Sequence, residues 1–465
     1  MPLSFRPTDV HTWGTHYPIK RAADARLSTL GSRLSAFFTA HARLRPRLFI
    51  IAYVALALCA LLFVLNIGIS SITTRQSLPT WATTAHSPDR GVADWTVLVY
   101  MASDNDLEPS ALADLREIAQ VGSSARVTVV AQVDRMTSSQ EWDSPTAGNW
   151  SGTKRFLIEP GMEPDAAMAI ACLDELNTGD PDTLSDFIAW GMDTYPSTHY
   201  ALILWSHGGS WMGLASDETS GGDSLSLPEL GAALASAHIR SGGVTLDLIG
   251  FDACLMGQLD VFQTIAPYAQ VVVASAEIEP TQGWAWDVWL RALTTTPGQD
   301  AASIAGIIVD SYVHSYQGSD DVTLAAFDLA QVGQISADLD RLTSALLAGT
   351  SADGSRISLA RTAAATYAPS TPDAYNAVDL GDLIQLLGSN GASHEVVVAA
   401  EETGRAIQHA RLAYGAGQSH NNGSGISIYF PPTAAQYLHS YEHESPLTHW
   451  ADFLKAYHTS NDRLA

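Results

Sequence analysis

From about residue 95 to residue 276, short apolar runs alternate with stretches whose apolar residues recur at helical spacing. Continuous apolar runs of this length read as strands buried on both faces. Their alternation with helices predicts a mainly parallel sheet with helices on either side, a three-layer α/β sandwich. Strands are expected at 95–101 (WTVLVYM), 126–133 (RVTVVAQV), 200–205 (YALILW), 245–251 (TLDLIGF) and 270–276 (QVVVASA). Helices are expected at 107–119, 184–195, 227–238 and 256–265. Asp182 or Thr183 would cap the second, and Pro228 opens the third. Residues 142–158, rich in Gly, Ser and aromatic side chains, read as a hairpin excursion. Beyond about Trp289 the pattern turns helical (302–316, 328–347, 358–365, 380–387, 396–412), with a short strand ISIYF at 426–430 and a closing helix at 447–457. The expected organisation is a sheet domain at 92–290 and a mainly helical C-terminal region, 291–465, packed on it.

The N-terminal part has a different pattern. Residues 48–65 (LFIIAYVALALCALLFVL) are uninterruptedly apolar and continue softly to about residue 72, long enough to cross a bilayer. Arg43, Arg45 and Arg47 precede the run. The positive-inside rule then puts residues 1–47 in the cytoplasm and everything after a linker at 73–91 outside. A single-pass anchor in the cell membrane is the expectation, with a cleaved signal peptide as the alternative.

Charge adds a little. The chain of 465 residues has a net charge of -25, and residues 1–50 carry eight Lys and Arg against Asp9 and Asp24, so the acidity lies in the body. An acidic body argues against nucleic acid as a partner and fits basic ligands or a solvated surface. Three cysteines make no disulfide framework. Cys59 falls in the apolar run, and Cys172 (ACL) reads as a small buried hydrophobe.

Two strands end in reactive side chains. The run YALILW leads into Ser206-His207-Gly208-Gly209, and TLDLIGF leads into Asp252-Ala253-Cys254. Ligands of open α/β sheets bind outside the carboxyl ends of the strands, which is where His207 and Cys254 would sit. An imidazole can activate a thiol, and two glycines after the histidine free backbone N–H groups for an oxyanion. Asp252 at a buried strand end needs a partner or a task. It could line a pocket beside Cys254 or cap a helix beginning at Cys254. Each residue also has a bland reading: His207 as a structural hydrogen-bonding group, Cys254 as core.

Together, WTVLVYMASDNDLE, HYALILWSHGGSW, DETSGGDSLSLPEL, LDLIGFDACLMGQLD and VVVASAEIEPTQGW resemble the clostripain family of cysteine peptidases. The resemblance is strongest over 93–290 and continues through SGISIYFPP and WADFLKAY. It implies a caspase-like sandwich and a thiol protease that hydrolyses peptide bonds of protein or peptide substrates. His207 would be the general base and acid, and Cys254 the nucleophile. The oxyanion hole would be formed by the N–H groups of Gly208 and Cys254. Asp252 would sit in the pocket for the P1 side chain, implying cleavage after Arg or Lys, with Glu277 and Glu279 as candidate second acids. Family members are often matured by self-cleavage at a basic residue between the catalytic pair. Residues 208–239 contain no Lys or Arg, so a single working chain is expected. No cofactor is required for the chemistry, and no metal ligand is assigned. Calcium is an expected candidate activator, because family activity is often helped by it. The acidic loops at Asp104-Asn105-Asp106 and Asp217 to Asp223 lack EF-hand spacing and read as solvated. A serine hydrolase lacks its G-x-S-x-G elbow, and a metal hydrolase lacks clustered histidines. The alternative from another class is a catalytically inactive surface binding module on the same scaffold.

Overall fold

The computed structural model describes residues 92–136, 143–368, 375–389 and 391–461. The basic segment, the apolar run at 48–72 and the linker lie outside the described residues. Among those described, no helix is long and apolar enough to cross a membrane.

Each apolar run forms a strand. The chain begins with β1 (Ala93–Ser103), α1 (Glu108–Val121), β2 (Val127–Arg135), β3 (Gly152–Leu157), β4 (Ala171–Cys172) and α2 (Pro181–Thr194). It continues with β5 (Ser197–Trp205), β6 (Leu214–Asp217), β7 (Asp223–Leu225), α3 (Leu227–Arg240), β8 (Leu246–Asp252), α4 (Leu259–Ile265) and β9 (Ala269–Ala274). Then come α5 (Trp286–Thr295), α6 (Ala301–Ser315), β10 (Thr323–Asp328), α7 (Val332–Ala363), β11 (Ala377–Asp379) and α8 (Leu380–Leu387). The last elements are α9 (His394–Ala410), β12 (Arg411–Ala416), β13 (Ser427–Tyr429), α10 (Tyr441–Glu444) and α11 (Thr448–Asn461).

One nine-stranded sheet organises these elements, in the order β12-β10-β9-β8-β5-β1-β2-β3-β4. Neighbours from β9 to β2 are parallel, and the pairs at either wing are antiparallel. Successive side chains alternate between two cores, as pleating requires. Leu98, Tyr100, Leu202, Leu204 and Phe251 pack with residues of α2, α3, α4 and the C-terminal helices. Val97, Val99, Met101, Ile203 and Val273 pack on the opposite face with α1, α5 and α6. The protein is therefore a mixed α/β fold with a large, mainly parallel central sheet and helices on both faces.

Several local expectations need correction. The cap of α2 is Asp180, whose side chain accepts from the Asp182 amide at 2.8 Å, not Asp182 or Thr183. Helix α4 starts at Leu259 and not at Met256, because Leu255 turns the chain with φ 64°. The expected hairpin at 142–158 is instead an antiparallel edge built from β3 and the two-residue β4. On that edge Cys172 is exposed and not a buried hydrophobe. The two helices expected at 328–347 and 358–365 are one helix, α7. Two strands beyond residue 290, β10 and β12, extend the central sheet. Residues 411–412 were expected to close a helix, yet they open β12, which pairs antiparallel with β10.

Candidate active site

The carboxyl ends of β5 and β8 lie side by side. Trp205 pairs with Asp252, and the Ser206 amide donates to the Asp252 carbonyl at 3.4 Å. The segments that follow, His207-Gly208 and Ala253-Cys254, therefore run together. Contact is so close that a Cβ on Gly208 would lie 2.1 Å from the Cys254 carbonyl oxygen, a position no side chain can share. The amides of Gly208 and Cys254 donate to no other residue among those described. Cys254 then enters a turn closed by Leu255, which holds an uncommon left-handed φ of 64° for a branched residue and donates its amide to Glu277 at 3.1 Å.

His207 is mostly buried, and its Nε2 lies 2.6 Å from Asp106 Oδ1. Asp106 sits just beyond β1, whose register with β5 brings the two chain ends together. The sequence reading placed Asp106 in an acidic loop and missed this pairing, since the partners are 101 positions apart. The strand-end rule could have found it, because β1 and β5 both deliver their following loops to the same edge.

Cys254 is half-buried, and its Sγ lies 3.8 Å from the Glu279 carbonyl oxygen. Burial, and secondarily the charge of Glu279, pushes the thiol up to about 12. The resting nucleophile is a neutral thiol that needs a base to ionise.

Asp252 ends β8 and is 4% exposed. It caps no helix at Cys254, because residues 253–258 are not helical. Its Oδ2 accepts from the Trp286 indole at 3.0 Å and the Trp284 amide at 3.4 Å. Burial pushes Asp252 up to about 6. Burial and then the Asp252 charge push Glu279 well above the usual carboxylate range. A third acid, Asp114 of α1, closes the group. It accepts from the Trp205 indole at 2.7 Å and is raised to about 9 by burial and then by Asp252. Gly283 (φ 57°) fits between them, since a Cβ there would lie 2.9 Å from Asp252 Oδ1 and 3.1 Å from Asp114 Oδ2. Of the two candidate second acids, Glu279 therefore lies against Asp252. Glu277 instead accepts from the Ile278 and Ala368 amides and pairs with His420 at 3.2 Å. Asp114 was not foreseen. Its signal was a carboxylate on the apolar side of α1, beside Leu112 and Leu115.

A histidine and a cysteine delivered by neighbouring strand ends form an arrangement that a thiol hydrolase can use. Comparisons with known proteins agree in class. The model of the clostripain family, Peptidase_C11, matches residues 99–461. The chain belongs to the clostripain family. Clostripain from Hathewaya histolytica is 27% identical over 220 residues, covering 41% of this chain and 40% of that protein. The chain thus spans about two fifths of the length of this relative. Two solved structures share the fold. A secreted C11 cysteine protease from Bacteroides thetaiotaomicron, in complex with an irreversible peptide inhibitor, is 19% identical with a TM-score of 0.57, covering 78% of this chain and 99% of its own. An inactive zymogen C11 protease from Parabacteroides distasonis is 18% identical with a TM-score of 0.59, covering 77% and 97%.

Proposed function

We propose that this protein is a cysteine endopeptidase on a caspase-like sandwich, cleaving peptide bonds after Arg and, less readily, Lys. The observation that carries the reading is the packing of Gly208 directly on the Cys254 carbonyl, which brings the two strand ends into one site. Membership of the clostripain family supports the same chemistry.

In this mechanism His207 takes the Cys254 proton as Sγ attacks the scissile carbonyl carbon. A base is needed at that moment, because burial keeps the thiol protonated at rest. The carbonyl π electrons move to oxygen, and the resulting oxyanion accepts from the Gly208 and Cys254 amides. When the intermediate collapses, the C–N bond breaks and His207 returns its proton to the leaving amine. Water then attacks the thioester with His207 as base, releasing the acid and the free thiol. Asp106 is the positioning residue, holding the imidazole through Nε2.

Asp252, with Glu279 beside it, recognises the P1 guanidinium. Two carboxyls pressed together in a dry site hold a proton between them in the free enzyme. An arriving guanidinium replaces that proton with a planar set of donors, which favours Arg over the point charge of Lys. We further propose, from the apolar run at 48–72, that the enzyme is anchored in the cell membrane with its catalytic part outside. A peptidyl chloromethyl ketone with Arg at P1 tests the site. Mass spectrometry should find one adduct, on Cys254, and an adduct elsewhere or none would refute the assignment.

A further inference from the structure

We propose that Glu277 and His420 are positioning residues for the nucleophile. The pair ties the turn that carries Cys254 to the C-terminal part of the chain, and the aim of the thiol at His207 depends on that tie. The effect on turnover rests on the peptidase reading.

The Cys254 turn has little support of its own. Strand β8 ends at Asp252 and α4 begins at Leu259, and residues 253–257 belong to no helix or strand. They lean on residues 275–279, which follow β9. The Leu255 amide donates to the Glu277 carbonyl at 3.1 Å, and the Gly257 amide to the Ser275 carbonyl at 2.6 Å. Cys254 Sγ lies 3.8 Å from the Glu279 carbonyl oxygen. A left-handed φ of 64° at Leu255 persists only where neighbours over-determine it, so a shift of residues 275–279 is passed on to the thiol.

Residues 275–279 are fixed largely by the Glu277 carboxylate. Pairing of β9 with β10 stops at Ala274, beyond which Thr323 Oγ1 accepts from the Ala276 and Glu277 amides at 3.2 and 3.1 Å. Glu277 is 4% exposed. Its side chain accepts from the Ile278 amide at 2.8 Å and the Ala368 amide at 2.9 Å, and His420 Nε2 lies 3.2 Å from Oε2. Ala368 stands between α7 and β11, and His420 between β12 and β13. The His420 ring lies 5.0 Å from the Tyr367 ring, whose hydroxyl donates to Asp379 at 2.6 Å, so the imidazole packs on an anchored neighbour. A buried carboxylate that loses a donor is costly, and the segment carrying it must move to find another.

Apolar packing repeats the connection. Leu255, Ala276, Tyr367, Ala368 and Ala377 form a small buried cluster, with Cys254 and Tyr375 against it. This cluster is separate from the two cores of the sheet. The nucleophile therefore packs partly on residues of the C-terminal part.

The test compares Glu277→Gln, His420→Gln and the double variant with the parent, all full length, by the rate at which iodoacetamide alkylates Cys254. Mass spectrometry reads the site, and exposed Cys172, on the far edge of the sheet, is the internal reference. Position and charge predict different results. Burial, then Glu279, and to a smaller extent Glu277 raise the Cys254 thiol. A pair acting through charge would thus make Glu277→Gln faster and loss of a cation in His420→Gln slower, whereas a pair acting through position makes both slower. We expect alkylation to slow roughly 10- to 100-fold in each single variant, and no further in the double, with Cys172 unchanged. On an Arg peptide, kcat per site titrated with the chloromethyl ketone should fall by a similar factor, with KM within about twofold. Opposite shifts, or parental rates in both single variants, would overturn the positioning role. Alkylation uses no peptide, so slowed variants of a protein that cleaves nothing would refute the peptidase reading and leave the tie standing. Parental alkylation in variants of an active peptidase would do the reverse.

Discussion

Replacing Asp106 by Asn tests whether His207 is positioned by its neighbour. The substitution keeps the shape and one acceptor oxygen but removes the charge from a 2.6 Å contact with Nε2. A hydrogen bond to a charged group is worth about 1.5–3 kcal/mol, which at about 1.4 kcal/mol per decade is roughly a 10- to 150-fold change in rate. The Asp106 side chain is 37% exposed, so water can partly replace it, and the lower half of that range applies. We expect kcat on an Arg-containing fluorogenic peptide to fall roughly 10- to 30-fold with KM within about twofold, because Asp106 supports the histidine and contacts no substrate. Asp106→Glu should recover part of the loss, and the pH profile of kcat should shift in Asp106→Asn. Unchanged kcat, or a loss confined to KM, would remove Asp106 from the mechanism.

Other predictions follow from the same geometry. Asp252→Asn should lower kcat/KM for Arg substrates by roughly 10- to 100-fold and for uncharged P1 residues far less, measured on matched peptides. The same variant should change the pH dependence of stability. Asp252 is raised from its ordinary value to about 6, so the native state binds more protons than the unfolded state between about pH 4 and 6. Its ionisation therefore costs stability above about pH 6, and relief on acidification is complete below about pH 4. Asp252→Asn should raise Tm at pH 8 and leave it unchanged near pH 3.5. Glu108→Ala should cost about 3–5 kcal/mol in urea unfolding, because Glu108 and Arg135 are both 0% exposed and the lost carboxylate also serves the Met136 and Ser144 amides. Gly208→Ala should reduce turnover at least 100-fold while circular dichroism stays native, since the new methyl must push the Cys254 carbonyl aside.

The central strands were legible because a strand buried on both faces leaves a continuous apolar run, as in 200–205 and 270–276. Strand β12 (RLAYGA) was not. Its residues suit a helix, it follows α9 without a break, and only pairing with β10 makes it extended. His207, Cys254 and Asp252 could be read because each ends such a run. The roles of Asp106 and Asp114 could not, since they arise where separate loops and helices converge, and the burial of Asp104 and Asp217 in loops that read as solvated has the same origin. Cys172 was misjudged because its environment is a two-residue edge strand with no core over it.

The most direct test of the central claim is hydrolysis of fluorogenic peptides bearing Arg, Lys, Asp, Asn or Phe at P1 by the full-length protein, alongside Cys254→Ala. Cleavage after Arg, weaker after Lys, and none by Cys254→Ala is the predicted result. Cleavage that persists in Cys254→Ala would contradict the assignment, and cleavage after Asp or Asn would refute the acidic pocket.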